Sequence, residues 1–580
     1  MRSTLFGLAI VLVGYQGARA DGRPADALLA IVPPEAGLTV AVEDLGERSR
    51  EVLASPMVDR LTRLPAVVAW GQGEGAKFVQ ARREIEAALG MTAEQLRDDL
   101  FGDAIVLALI AEAGRPAEQG SGLLLAKVAD VDRLNRLIAV VNSSERQAGA
   151  LAGLKTIDHN GASYVARRFG DGRPADYYAI LGGSTFVWTN SESVVRRVID
   201  QRADPALTSL GGSPRFRAIR EGLPAGALAT LYVDPRFVDR LLAESAEAQE
   251  EQPVLALIRD GIEPIDYAGA ALLWDRGPIV RWRESIRPDR RRPGPSPAAG
   301  PALLKFVPSD TLAFATGSID LAAWYDRFVK LVPESQRPTR ELVETIARGL
   351  LLDRDPREEI LPGIGPEFLV TVARPAADAR LAEAPMSAWF ALHGEPGRLA
   401  GRALFSAGRT VMALGPLDQK NAGRGLKLAT SRTAAGELAQ ISGDDGTSLA
   451  IGLGDDRLVV GNRADVVIRS LDAGPGGPPP AFERTRASRF PGATAMAWAD
   501  VAGLTAEVVA RREVIADNLA ERRQQGEAEA RADLDALLGL AGLFESAFAA
   551  VERDPGGAWV ERTIGLVGPA ELPKPSRTAR

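Results

Sequence analysis

Short apolar runs, opened by proline and closed by aspartate, punctuate this chain at widely spaced places. Pro34 leads into Leu38–Val42 and then Asp44, and Pro224 leads into a run ending at Asp234. Pro308 leads to Asp320, and Pro491 to Asp500. Each run has the length of a half-buried strand, and each aspartate stands where a strand hands over to a helix, a natural N-cap position. Further strands are predicted over 104–111, 122–128, 164–168, 177–181 and 185–189, with glycine-rich turns between the last three. A terminal hairpin is predicted over 267–275 and 278–286. Helices are predicted after Asp44 to about 60, over 75–89, from Thr92 through a capping box with Gln95, over 130–142, and over 191–200. The longest helical stretch is 502–551, whose centre from Arg511 to Arg531 is nearly all charge and alanine. It reads as a solvated helix or helical hairpin.

The pattern occurs twice. Ser184–Asp200 and Asp456–Asp472 share Val187/Val459, Asn190/Asn462, Val194/Val466, Val195/Val467, Arg197/Arg469 and Asp200/Asp472 at one constant offset. The Gly-Leu-Lys at 153–155 recurs at 425–427 with the same offset. Residues 267–286 resemble 545–564 as a terminal hairpin. Strands interrupted by helices without a regular strand–helix–strand alternation imply an α+β class. The expected organisation is two tandem copies of a large module, 21–287 and 301–567, each a mainly antiparallel sheet packed against helices. A Pro/Arg-rich linker over 288–300 joins them, and a disordered tail over 568–580 follows.

The N-terminus carries an export address. Arg2 precedes an apolar run from Leu5 to Tyr15, and Ala18-Arg19-Ala20 fits a small-x-small cleavage site. The run is too short to span a bilayer, which takes about 20 apolar residues. Cleavage after Ala20 takes the formal net charge from −7 to −9 by removing Arg2 and Arg19. The expected location is the periplasm or the cell exterior, with no transmembrane segment after cleavage.

Composition then narrows the chemistry. The 580 residues contain no cysteine and two histidines. Disulfides, thiolate metal sites and multi-histidine metal centres are therefore excluded. Gly71-Gln-Gly73-Glu-Gly75-Ala76 matches a dinucleotide fingerprint after an apparent strand at 66–70. It lacks the second strand with its terminal acid, and so reads as a flexible loop. His159 and His393 read as turn or surface residues, with no counterpart in the other copy. Asp353, Asp355, Glu358 and Glu359 read as a turn entering a helix, the glutamates favourably placed in its first turn. Asp44, Asp234 and Asp500 read as caps. Arg287 and Arg290–Arg292 form a basic patch too short for a nucleic-acid footprint. No catalytic, cofactor-binding or metal-binding residue is assigned.

The segment Leu352-Asp-Arg-Asp-Pro-Arg-Glu-Glu-Ile-Leu-Pro-Gly-Ile-Gly-Pro-Glu367, with a reduced version at Asp98–Asp103, resembles the domain of unknown function 3352 family of exported bacterial proteins. The resemblance implies an extracytoplasmic, duplicated α+β protein and supplies no catalytic residues. The leading expectation is a non-enzymatic protein that binds or scaffolds an envelope component. A carrier of a lipid or acyl chain is the alternative, its cavity lined by Leu123–Leu125 and Trp389-Phe390. A carboxylate-based hydrolase is a further one, needing two carboxyls flanking a cleft. The partner is accordingly an envelope protein or an apolar ligand, not nucleic acid.

Export fixes one outcome. N-terminal sequencing of the protein recovered from outside the cytoplasm should begin at Asp21; a chain still starting at Met1 there would contradict the cleavage site.

Overall fold

The alternating runs become strands and the polar handovers become helix starts. The structure, a computed structural model, describes residues 23–111, 120–246, 259–291, 301–332, 334–376, 384–415, 425–444, 446, 448–472 and 476–569. The leader predicted over 1–20, most of the linker predicted over 288–300 and nearly all of the tail predicted over 568–580 lie outside these. The chain divides into two compact units, 1–291 with 558–580, and 292–557.

In chain order the first ten strands are β1 (Ala36–Glu43), β2 (Ala104–Ile110), β3 (Ser121–Lys127), β4 (Leu151–His159), β5 (Ala162–Phe169), β6 (Asp176–Leu181), β7 (Thr185–Thr189), β8 (Ala229–Val233), β9 (Ile265–Trp274) and β10 (Pro278–Ile286). The next nine are β11 (Thr311–Ser318), β12 (Ile364–Ala373), β13 (Met386–Leu392), β14 (Lys427–Thr433), β15 (Gly436–Ser442), β16 (Ser448–Leu453), β17 (Arg457–Gly461), β18 (Ala495–Asp500) and β19 (Ser546–Arg553). The last is β20 (Trp559–Val567).

Within the first unit the sheet runs β20-β10-β9-β8-β1-β2-β3-β7-β6-β5-β4, antiparallel at each step. In the second it runs β19-β18-β11-β12-β13-β17-β16-β15-β14, again antiparallel. Each second-unit strand takes the place held in the first by the strand ten earlier. The final strand among the described residues, β20, belongs to the first unit, where it lies along β10 from Ile279↔Gly565 to Ser285↔Trp559.

Alternation decides the faces. In β2, Ala104, Val106, Ala108 and Ile110 are buried, while Leu109 points outward and is exposed. The first unit's main core packs these against Leu123 and Leu125 of β3 and against Val194, Val195, Val198 and Ile199 of the helix Glu192–Ala203. Ala126 points to the other face, into a second cluster with Leu100, Val128 and Leu134. The second unit buries an aromatic group, in which Phe482 touches Phe314 and Trp498, and Phe490 touches Phe548.

One close approach explains a glycine. A Cβ at Gly37 would sit 2.2 Å from the Phe237 ring, so β1 and the helix Pro235–Ala246 can touch only because position 37 has none.

Several residues shared by the segments 184–200 and 456–472 serve the fold. Val187 and Val459 are fully buried, and so are Val195 and Val467. Asn190 accepts a hydrogen bond from the Gly122 N–H at the start of β3 (2.8 Å). Asn462 does the same for Met386 at the start of β13 (2.9 Å) and also donates to the Ala384 carbonyl (2.8 Å). The side chain thus satisfies backbone groups where the ladder begins.

Two expectations change. Residues 66–70 are not a strand; Pro65 at the first helical position opens the helix Pro65–Gln72. The helical stretch predicted to 551 ends at Ala541, and β19 follows. Its charged centre forms a helical hairpin, Arg512–Arg523 against Glu527–Ala541, reversed at Gln524 in the left-handed conformation and crossed by Arg512–Asp535 and Arg523–Asp533 ion pairs.

Asn462→Ala should destabilise the second unit by about 2 kcal/mol, and Asn190→Ala the first by about 1 kcal/mol, because the former strands two backbone groups and the latter one. Urea unfolding followed by fluorescence would measure both, and equal, negligible losses would contradict the anchoring role.

Candidate functional site

The residues singled out for chemistry are mostly taken up by structure. Asp320 and Asp500 cap their helices, accepting from the Ala323 N–H (2.9 Å) and the Gly503 N–H (2.7 Å). Asp44 does not cap: its backbone is left-handed, and its carboxylate lies 3.5 Å from the Arg48 guanidinium. Asp234 also caps its helix, Pro235–Ala246, accepting from the N–H of its second residue, Arg236 (3.0 Å). Asp355 accepts from the N–H groups of Arg357 and Glu358, opening a single wide helical turn, Pro356–Ile360, rather than a full helix. Leu96–Leu100 makes the same kind of turn ahead of β2. Hydrogen bonding to Arg348 holds the Asp355 carboxyl below its ordinary range. Among the described residues no group of three or more His, Asp or Glu is placed to hold a metal ion.

The histidines are each bound to one acid. His159 Nε2 lies 2.8 Å from Asp200, and His393 Nε2 lies 2.8 Å from Glu367. In the linker patch, Arg287 donates to the Ile265 carbonyl, Arg291 to that of Ile286, and Arg290 pairs with Glu263. Arg292 lies outside the described residues.

The glycine fingerprint has a packing explanation. Gly73 joins the helices Pro65–Gln72 and Glu74–Leu89, so the loop is a helix junction and no strand precedes it. A Cβ at Gly75 would come within 2.7 Å of the Trp70 carbonyl oxygen and 2.8 Å of its indole. The glycine lets the indole lie on the backbone.

The carrier's proposed lining is core. Leu123, Leu125 and Trp389 are almost completely buried, and the Trp389 N–H donates to Ser387 Oγ. A void of about 10 Å³ lies beside Thr39, Phe216 and Tyr232, room for about one water. A larger cleft of about 540 Å³ opens in the first unit around Glu35, Gly37, Arg197, Asp234, Phe237 and Arg240. Glu35 is held by Arg197 at 2.5 Å, and Asp234 by Arg236 at 3.0 Å. Burial pushes the Asp234 carboxyl above its ordinary range, with nearby arginines opposing. Neither space is lined by Leu123–Leu125 or Trp389-Phe390.

The unspent chemistry is apolar and outside. Between β11 and β12 the second unit carries the helices Leu321–Leu331 and Arg337–Leu350. Trp324 (56% exposed) and Phe328 (51%) stack there at 5.8 Å between centroids. Leu342, Val343 and Ile346 are each more than half exposed on the second helix. Between β1 and β2, the same place in the first unit, Trp70 (58%), Phe78 (53%), Val68 and Val79 are exposed. Tyr325 ties the two second-unit helices together, donating to Glu344 at 2.6 Å. Burial, then that hydrogen bond, pushes its hydroxyl up to about 12. These aromatics were not singled out in the sequence. Apolar residues at helical spacing signal an amphipathic helix equally well whether the face ends up covered or bare.

No family model matches the chain, and no curated protein matches it. Among solved structures, crystal forms III and IV of TP0453 are similar at 11% and 12% identity, with TM-scores of 0.25 and 0.23. They cover 46% and 45% of this chain and 81% of each of theirs. Neither likeness is close enough to define this chain's fold or activity. Among the described residues no helix is long and apolar enough to cross a membrane.

Tyr325→Phe should cost about 1 kcal/mol of local stability at neutral pH. The tyrosine pKa is raised in the fold, so this contribution is complete below the unfolded value near 10 and is lost as pH rises through about 12. Amide exchange in Arg337–Leu350 would report it, faster in the variant at pH 7; identical exchange would contradict the tie.

Proposed function

We propose that this chain is an exported, non-enzymatic binding protein of the cell envelope, built from two copies of one α+β module. In this reading it belongs with the domain of unknown function 3352 proteins that its Leu352–Glu367 segment resembles. The reading is carried by one observation: both units leave aromatic and aliphatic helix faces bare between their first two strands. Single exposed apolar residues are ordinary, but clustered ones mark interaction sites. The matching strand orders support duplication, and the identities between the copies at Asn190/Asn462 and the buried valines support the view that a fold was retained. Cleavage after Ala20 would place the protein where envelope components are within reach.

Tagged protein incubated with an envelope fraction should retain specific lipid or protein on mass spectrometry. A variant carrying Trp70→Ala, Phe78→Ala, Trp324→Ala and Phe328→Ala should lose most of it while keeping the same melting temperature. Retention of the same material by the folded variant would refute the assignment of binding to these faces.

A further inference from the structure

Resting on that reading and naming the partner, we propose that the two bare helix faces seat on an electrically neutral lipid–water interface, such as a surface of zwitterionic phospholipid.

Three observations point there. The first is length. The helix Arg337–Leu350 has 14 residues. At 1.5 Å per residue it extends about 21 Å, short of a hydrocarbon core of about 30 Å, so on a bilayer it has room only to lie along the interface, not to cross. The second is side-chain type. Trp324 and Phe328 stack with ring planes 12° apart and present a flat aromatic surface. Trp70, laid over Gly75, presents another. Indole rings favour the headgroup depth, with aliphatic neighbours reaching just beneath.

Charge is the third observation, and it selects among surfaces. The sequence from Asp320 to Leu350 holds five cations (Arg327, Lys330, Arg337, Arg340, Arg348) and five acids (Asp320, Asp326, Glu334, Glu341, Glu344). The sequence from Pro65 to Leu89 holds three cations and three acids. Arg337 is paired with Glu341 at 3.0 Å, Arg340 with Glu344 at 3.5 Å, and Arg82 with Glu86 at 2.8 Å. Arg348 is paired with Asp355. A local balance of zero complements zwitterionic headgroups, which carry no net charge. Anionic lipid is drawn by clusters of surplus cations, which neither face has, and the chain's net charge of −7 opposes it.

The two faces also differ residue by residue while keeping the same character. The first unit offers Trp70, Phe78 and Val79; the second offers Trp324, Phe328, Leu342, Val343 and Ile346. A protein partner demands matched shape at its buried core, whereas a lipid interface demands only apolar area and aromatic rings.

The test is flotation of the full exported chain with phosphatidylcholine vesicles. Binding should be saturable and change less than about twofold between dilute buffer and about 0.5 M salt, since screening removes only electrostatic attraction. Trp324→Ala with Phe328→Ala should weaken partitioning about tenfold or more, and Val343→Ser with Ile346→Ser should do likewise without touching the aromatic pair. Trp70→Ala with Phe78→Ala should weaken it again. Circular dichroism and melting temperature confirm folding of each variant. No binding to these vesicles, binding only to anionic vesicles and erased by salt, or binding indifferent to every folded variant would overturn the proposal. A protein partner retained from the envelope through these faces, without vesicle binding, would overturn it while leaving the broader reading intact. So would a dimer abolished by Trp324→Ala.

Discussion

The pairing of the first two strands in each unit constrains everything built around it. β1 and β2 are antiparallel neighbours, with Glu43 opposite Ala104, and β11 and β12 repeat this with Ser318 opposite Glu367. The chain between them must leave the sheet and return to the same place. Neither intervening segment contributes a strand, since β1 and β11 already have their second neighbours in β8 and β18. The segments 44–103 and 319–363 therefore become helical excursions. They are anchored at their ends by the Asp44 N–H on the Asp103 carbonyl and the Ile319 N–H on that of Pro366.

That constraint separates two kinds of apolar residue. Those on strands and on Glu192–Ala203 or Ala464–Asp472 close over the sheet and stabilise it by burial. Those on the excursions have less sheet to cover. The helices Pro56–Thr62 and Arg337–Leu350 contain no buried residue among those described. The ends of the excursions still join the core, through Leu100 beside Ala126 and through Leu351 and Ile360 beside Ile364, so the bare faces are confined to their outer helices.

Polar groups follow the same division. Asn190, Asn462, Asp320 and Asp500 each satisfy backbone N–H groups at the start of a strand or helix. Arg220 pairs with the buried Glu43, keeping a charge tolerable near the core. Their recurrence reflects what an antiparallel sheet with capped helices needs. The two units differ near the cleft at Glu35: Arg197 reaches Glu35, whereas Arg469, at the matching place in the second repeated segment, turns to Asp465 on its own helix.

Much of the architecture could be read directly. Proline, alternating apolar residues and a terminal aspartate located β1, β8, β11 and β18, because each of those signals acts through local backbone geometry. The Thr92–Gln95 capping box was legible for the same reason, with both of its hydrogen bonds formed. The edge strands β4 and β14 were not, since their largely exposed residues show no apolar alternation. Residues 66–70 misled because a short apolar run has no decisive period, and Pro65 favoured a helix start. The sequence by itself determined the α+β class, the repeated pattern and most element positions, which depend on neighbours within a few residues. Only the tertiary structure decided the strand order, the placing of β20 in the first unit, and which aromatic faces remain bare, because coverage depends on contacts between residues far apart in the chain.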